Sequence, residues 1–75
     1  MKKEIKQIKK ILEQKKELLK IHNKTILQAE KKIKNETDIQ EISMWRININ
    51  RYKELNKELE KGIRCDKEIL KILEK

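Results

Sequence analysis

Apolar side chains recur along the first part of the chain at steps of three and four residues, the spacing of one face of an α-helix. When Ile5 is taken as position a of a heptad abcdefg, every a position holds a large apolar residue, whereas the d positions are more polar. The a positions are Ile5, Leu12, Leu19, Ile26 and Ile33, and the d positions are Ile8, Lys15, His22 and Ala29. This pattern predicts an amphipathic helix over about residues 3–35.

A second heptad series begins at Ile42 and predicts a second helix that starts at about residue 38. Its a positions are Ile42, Ile49, Asn56, Ile63 and Leu70, and its d positions are Trp45, Tyr52, Leu59, Asp66 and Leu73. The a and d positions of the two series together form the predicted seam, the stripe along which two such helices pack.

The phase of the pattern breaks between the two series, because the nine residues from Ile33 to Ile42 are not a multiple of seven. Asp38 followed by Glu41 is typical of a capping box at a helix start, and Thr37 with Gln40 is an alternative. We therefore expect an all-α, coiled-coil-like antiparallel helical hairpin, a single domain of residues 1–75. One continuous helix is the alternative, since no Gly or Pro enforces the turn.

Gly62 is the only glycine of the chain. It favours an end of the second helix at about residue 61, where glycine is the usual C-terminal cap. Asp66 would then cap a short third helix over about residues 66–75. Alternatively, Gly62 is tolerated inside a longer helix at a cost of about 1 kcal/mol.

His22 and Asn56 occupy seam positions that fall near the same layer of a hairpin. We interpret them as a polar core layer that fixes the register of the helices, since polar seam residues have this role in coiled coils. Nucleophilic catalysis needs a nucleophile, a base and an orienting group, and a metal needs several convergent ligands. One histidine and one cysteine, Cys65, do not supply these. We expect no enzyme activity, no cofactor and no metal.

Charge is distributed unevenly between the two helices. Residues 1–35 carry +8 and residues 36–75 carry none. Lysines line the outer b, e and f positions of the first helix: Lys6, Lys9, Lys10, Lys16, Lys20, Lys24, Lys31 and Lys34. Contact with the phosphate backbone of RNA or DNA is one hypothesis for this surface. Against it stand 18 Lys but 3 Arg, and only two aromatic residues for base stacking.

Nine large apolar residues lie outside the seam, more than a two-helix hairpin can bury. They are Ile11, Leu18, Ile21, Leu27, Met44, Ile47, Leu55, Ile69 and Ile72. They predict self-association into a homodimer or larger bundle, or docking on a protein partner. Trp and Arg are enriched at binding hot spots. The candidate protein interface is therefore Ile21, Leu27, Met44, Trp45, Ile47 and Arg51, with filling of the hairpin core as the other interpretation of Trp45.

The leading functional hypothesis is a small non-enzymatic interaction protein. Usage rich in Lys, Ile and Asn indicates an AT-rich genome, so we expect a phage or mobile-element inhibitor or modulator of a host protein such as a nucleic-acid-handling enzyme. The alternative is a lysine-driven RNA- or DNA-binding hairpin. The lone thiol and the lack of a signal peptide predict the cytoplasm, and a first helix without Trp or Phe disfavours membrane binding. In size and shape alone the chain resembles the small helical-hairpin RNA modulators of plasmids.

Overall fold

A computed structural model describes residues 2–75 as two helices that pack antiparallel along their length. Helix α1 spans Lys2–Asn35 and helix α2 spans Ile39–Leu73. The Cα atoms occupy an elongated body of 56 × 14 × 13 Å. The predicted helical hairpin is therefore confirmed. Neither helix contains a stretch of sufficient length and hydropathy to cross a bilayer.

The seam forms the contact between the helices. All 19 of its a and d positions are buried or half-buried. Outside it, the described residues that are not fully exposed are Lys16, Thr25, Glu36, Asn48 and Gly62. The heptad phase read from the apolar pattern is thus the phase of the folded chain, in both helices.

The core inside this seam is small. Five apolar residues are buried, and no described side chain is completely enclosed. The best-packed cluster lies near the turn, where Ile26, Ala29 and Ile49 meet with Ile33, Trp45 and Tyr52 around them. A core of this size leaves a small domain only marginally stable, because the ordering entropy of the chain opposes folding.

Three residues connect the helices without a left-handed backbone conformation, and no residue of the described chain has positive φ. Asp38 is the N-cap of α2 as predicted, and its Oδ1 accepts a hydrogen bond from the Gln40 amide at 2.9 Å. A capping box also contains a second hydrogen bond, in which a side chain accepts from the amide of the N-cap residue. Here the acceptor is not the residue that the sequence predicted. Glu36 Oε1, not Glu41, accepts from the Asp38 amide at 3.1 Å and from the Thr37 amide at 3.0 Å. These side-chain acceptors allow a tight turn without Gly or Pro.

The expected break at Gly62 is not present, because α2 continues through this residue to Leu73. There is consequently no third helix, and Asp66 caps nothing. Asp66 instead accepts a hydrogen bond from Lys15 of α1 at 2.8 Å. The Lys15 side chain crosses Gly62 on its way, since a Cβ added to Gly62 would lie 3.0 Å from Lys15 Nζ. The glycine provides room for a cross-helix contact and does not end the helix.

Replacement of Gly62 tests this role. We expect Gly62→Ala to raise the free energy of unfolding by about 0.5–1 kcal/mol, because alanine is the better helix former by that amount. Lys15 is a flexible side chain that is 29% exposed, so its ammonium group can shift slightly to admit the methyl group. Urea denaturation followed by circular dichroism, at equal protein concentration, measures the difference. In a Lys15→Ala background the gain should be at least as large. A loss of stability in the single variant would show that the position of Lys15 is rigid.

Candidate interaction surfaces

Three polar side chains meet in the middle of the seam. His22 Nδ1 lies 3.0 Å from Asn56 Oδ1, and Asn56 Nδ2 donates to Asn23 Oδ1 at 3.0 Å. The Tyr52 ring packs on His22 with 5.2 Å between the ring centroids. Asn56 is buried, and both polar atoms of its amide group have a partner. A shift of one helix along the other would leave this amide unpaired, so the layer opposes such a shift.

A second polar layer lies one heptad farther from the turn. Lys15 and Asp66 are 29% and 15% exposed and form an ion pair of 2.8 Å between Nζ and Oδ2. Sequence reasoning placed both residues in the seam and missed their pairing. The signal was nevertheless present, because the register that aligns His22 with Asn56 also brings position 15 near 63–66. Since desolvation offsets much of the attraction in such a pair, its main effect is on which residues align.

The groups that could act as nucleophile and base do not converge. His22 lies level with Asn56 in the seam, whereas Cys65 is exposed and nine residues farther along α2. At 1.5 Å per residue the two groups are separated by roughly 13 Å along the helix axis. Within residues 2–75, no group of three or more His, Cys, Asp or Glu side chains could hold a metal ion.

Trp45 belongs to the core at the turn end of the hairpin. It is half-buried and packs against the cluster of Ile26, Ala29 and Ile49. The Lys32 ammonium group lies 4.7 Å from the centroid of its ring, within the range of a cation–π contact. Trp45 therefore fills the core of the hairpin, as in the second of the two interpretations given from the sequence.

The c and g positions of both helices form one side of the hairpin, the c/g face. In α1 this face contains no lysine before Lys32, although 12 of the 34 residues of the helix are lysine. Its first eight positions are Glu4, Gln7, Ile11, Gln14, Leu18, Ile21, Thr25 and Gln28. Such segregation is not expected if lysine were distributed over the solvated surface in proportion to its abundance.

Helix α2 continues the same face. From residue 44 onward its c and g positions are Met44, Asn48, Arg51, Leu55, Glu58, Gly62, Cys65, Ile69 and Ile72. Leu18 of α1 lines one groove together with Leu55 and Gly62 of α2. Thr25 of α1 lines the adjoining groove with Asn48 and Leu55. The two helices thus present their c and g positions on the same side, as one continuous surface.

The c/g face is the main apolar surface that the hairpin leaves exposed. Seven large apolar side chains on it are between 38% and 69% exposed: Ile11, Leu18, Ile21, Met44, Leu55, Ile69 and Ile72. Three other exposed apolar residues lie elsewhere, namely Leu27, Ile39 and Ile47. The nine residues expected outside the core are all exposed, and seven of them share this face.

The six residues predicted as a protein interface do not form a single surface. Ile21, Met44 and Arg51 lie on the c/g face. Leu27 and Ile47 occupy b and f positions on the charged side of the hairpin, and both are exposed. Trp45 lies in the seam. Leu18 and Leu55, which the predicted set leaves out, occupy g positions of this face and line the same groove between the two helices.

The lysine face consists of the eight predicted lysines at b, e and f positions of α1, on the side away from the c/g face. All are exposed except Lys16, which is half-buried. Lys9 pairs with Glu74 at 3.4 Å and Lys16 with Glu13 at 3.8 Å. The other six form no ion pair within residues 2–75. They are Lys6, Lys10, Lys20, Lys24, Lys31 and Lys34.

Comparison with protein families, with curated proteins and with solved structures finds no match for this chain.

The polar layer makes a testable prediction. Replacing both His22 and Asn56 by Leu should raise the melting temperature, because it removes the buried amide together with its partner in the seam. Asn23, the third member of the layer, is exposed and can bind water instead. Asn56→Leu alone should be less stable than the double variant, since it leaves His22 without its partner. Thermal denaturation measures stability, and light scattering reports whether the variant gains additional oligomeric states. A double variant less stable than the original chain would show that the polar network is net stabilising.

Proposed function

We propose that this chain is a non-enzymatic interaction protein that binds protein through the c/g face. The observation that carries the proposal is the absence of lysine from the first eight c and g positions of α1, in a helix that is one-third lysine. Interface cores are depleted of charged residues, and of lysine in particular. A continuous exposed apolar surface of this kind is typical of a protein contact.

The small core of the hairpin supports the same proposal. Five buried apolar residues and two polar layers stabilise an isolated hairpin of 75 residues only weakly. Covering the c/g face would remove Leu18, Ile21 and Leu55 from water. Each is already about half covered, so each would contribute roughly half of the 1.5–3 kcal/mol that burial of a fully exposed side chain of this size gives. Binding and folding stability are therefore coupled in this chain.

A finer proposal follows from composition. A small basic protein with Lys-, Ile- and Asn-rich usage fits a phage or mobile-element modulator of a host enzyme that handles nucleic acids. Proteins of this kind act by occupying a surface of their target, which requires a docking face and no catalytic site.

The second candidate function is contact between the lysine face and the phosphate backbone of DNA or RNA. The six exposed lysines without an ion pair favour it. Contact with about four phosphates predicts a slope near −4 for the logarithm of affinity against the logarithm of salt concentration on duplex DNA. Sequence preference should be weak, because phosphate contacts carry no base information.

A matched pair of double variants tests the protein-binding face. Leu18→Glu with Leu55→Glu places two charges on the c/g face, whereas Leu27→Glu with Ile47→Glu places the same two charges on the opposite side. Both pairs replace exposed residues, and the control pair is the more exposed of the two. We expect only the c/g variant to lose complexes with protein. Gel filtration with light scattering, in buffer and in nuclease-treated host extract, measures complex formation once circular dichroism has shown helical folding.

A lysine variant separates the two candidate functions. Changing Lys10, Lys20, Lys24 and Lys31 to Gln should abolish affinity for duplex DNA and leave protein complexes intact. If the c/g variant keeps every protein complex of the unaltered chain while the lysine variant loses the biological activity, the nucleic-acid function replaces the protein-binding one.

A further inference from the structure

We propose that the protein bound on the c/g face is a second copy of this chain, related by a two-fold axis that sets the α2 helices of the two copies antiparallel. This inference rests on the proposed function of the face and names its occupant. The structural basis is the placement of Arg51 and Glu58 on either side of Leu55 on this face.

Arg51 and Glu58 are the only charged residues at c or g positions of α2 between Met44 and Ile72. They are opposite in sign, and the midpoint between them falls next to Leu55. An axis through that midpoint sets Arg51 of each copy opposite Glu58 of the other, because a two-fold contact pairs i with j and j with i. The face is therefore complementary in charge to itself.

The structure directs both side chains toward this surface. Arg51 lines the groove that contains Thr25 and Leu55. Glu58 lines the adjoining groove, which contains Leu18 and Leu55. Arg51 has no ion-pair partner within residues 2–75. Glu58 has one weak contact, 3.8 Å from Lys61 on its own helix, and both side chains of that pair are largely exposed. Such an exposed pair contributes little, so Glu58 can still pair with Arg51 of the other copy.

The same axis gives a compatible contact between the α1 helices. His22 lies level with Asn56, so the axis, which crosses α2 between residues 54 and 55, crosses α1 between residues 23 and 24. Ile21 of one copy then lies close to Thr25 of the other, and Leu18 lies close to Gln28. No lysine meets a lysine, because the first c or g lysine of α1 is Lys32, near the end of the helix.

The position of the net charge also favours this arrangement. The +8 charge of each chain belongs to α1, and the lysine face points away from the c/g face. Two copies joined by their c/g faces place these charges on opposite outer surfaces. Association through the b, e and f side would bring the lysines of the two copies together, and like charges at an interface cost several kcal/mol.

The size of the face is sufficient for a stable dimer. It is 56 Å long, and two helices side by side are about 20 Å wide, which offers on the order of 1,000 Å² per copy. Standard protein interfaces bury about 800 Å² per partner. A second copy of the chain is present wherever the chain is made. It can therefore bury the c/g face without any other protein.

Exchange of the two charges tests the proposal. The unaltered chain should have the mass of a dimer at micromolar concentration in sedimentation equilibrium. Arg51→Glu alone and Glu58→Arg alone should each weaken the dimer about tenfold or more, since each creates two like-charge contacts across the axis. An equimolar mixture of the two variants should recover the dimer, because one copy then contributes two acidic side chains and the other two basic ones. Circular dichroism of each variant controls for folding.

A cross-linking experiment checks the direction of the helices independently. The proposed axis brings Met44 of one copy near Cys65 of the other, whereas these residues are 21 positions apart on their own helix. With a short bis-maleimide, Met44→Cys should give a covalent dimer in high yield. Ile47→Cys, on the other side of the hairpin, should give far less.

The outcomes separate this inference from the proposed function. If the chain is a monomer in buffer but forms complexes with extract proteins that depend on Leu18 and Leu55, the homodimer is wrong and protein binding through the c/g face is retained. A dimer whose mass does not respond to either charge variant overturns the proposed axis. A monomer that binds no protein in either setting overturns both proposals.

Discussion

Two helices that pack side by side can bury only one stripe of each, and this geometric limit governs the other properties of the hairpin. The apolar residues of this chain occupy more than one stripe. The a and d positions account for the core, and a further seven large apolar side chains remain on the c/g face. Within residues 2–75 no third element covers that face, so in the isolated hairpin these side chains are exposed to water.

Some of the a and d positions of the seam hold polar residues instead of apolar ones. Lys15 with Asp66, and His22 with Asn56, occupy positions where Leu or Ile would add more stability. These layers penalise any other alignment of α1 and α2, and the alignment decides which g positions of the two helices become neighbours. In this register Leu18 and Leu55 line the same groove. Specificity in the seam therefore determines the shape of the outer face.

The seam phase, the hairpin and the cap at Asp38 could be predicted from sequence, because each depends on local spacing that one helix displays by itself. The role of Gly62 could not. Glycine near a possible cap has two physical interpretations, and the structural context that decides between them includes Lys15 of the other helix, whose side chain passes over Gly62. The c/g face was missed for a similar reason. In each helix alone, the apolar residues at c and g positions form no distinctive pattern. They form one surface because the antiparallel packing places the g positions of α1 next to the g positions of α2.

The positive charge of α1 is separated from the apolar c/g face. Most of the net charge of α1 lies on its b, e and f positions, and the c/g face has no lysine before Lys32. Electrostatic repulsion between two of these basic chains would therefore be directed away from a contact through this face. Arg51 and Glu58, the charges that remain on the α2 part of the face, are those that a two-fold axis neutralises in pairs. If the chain does associate in this way, the lysine faces lie on opposite sides of a four-helix bundle, each open to solvent. Contact with a polyanion through a lysine face would then be compatible with assembly, since the two surfaces share no residue.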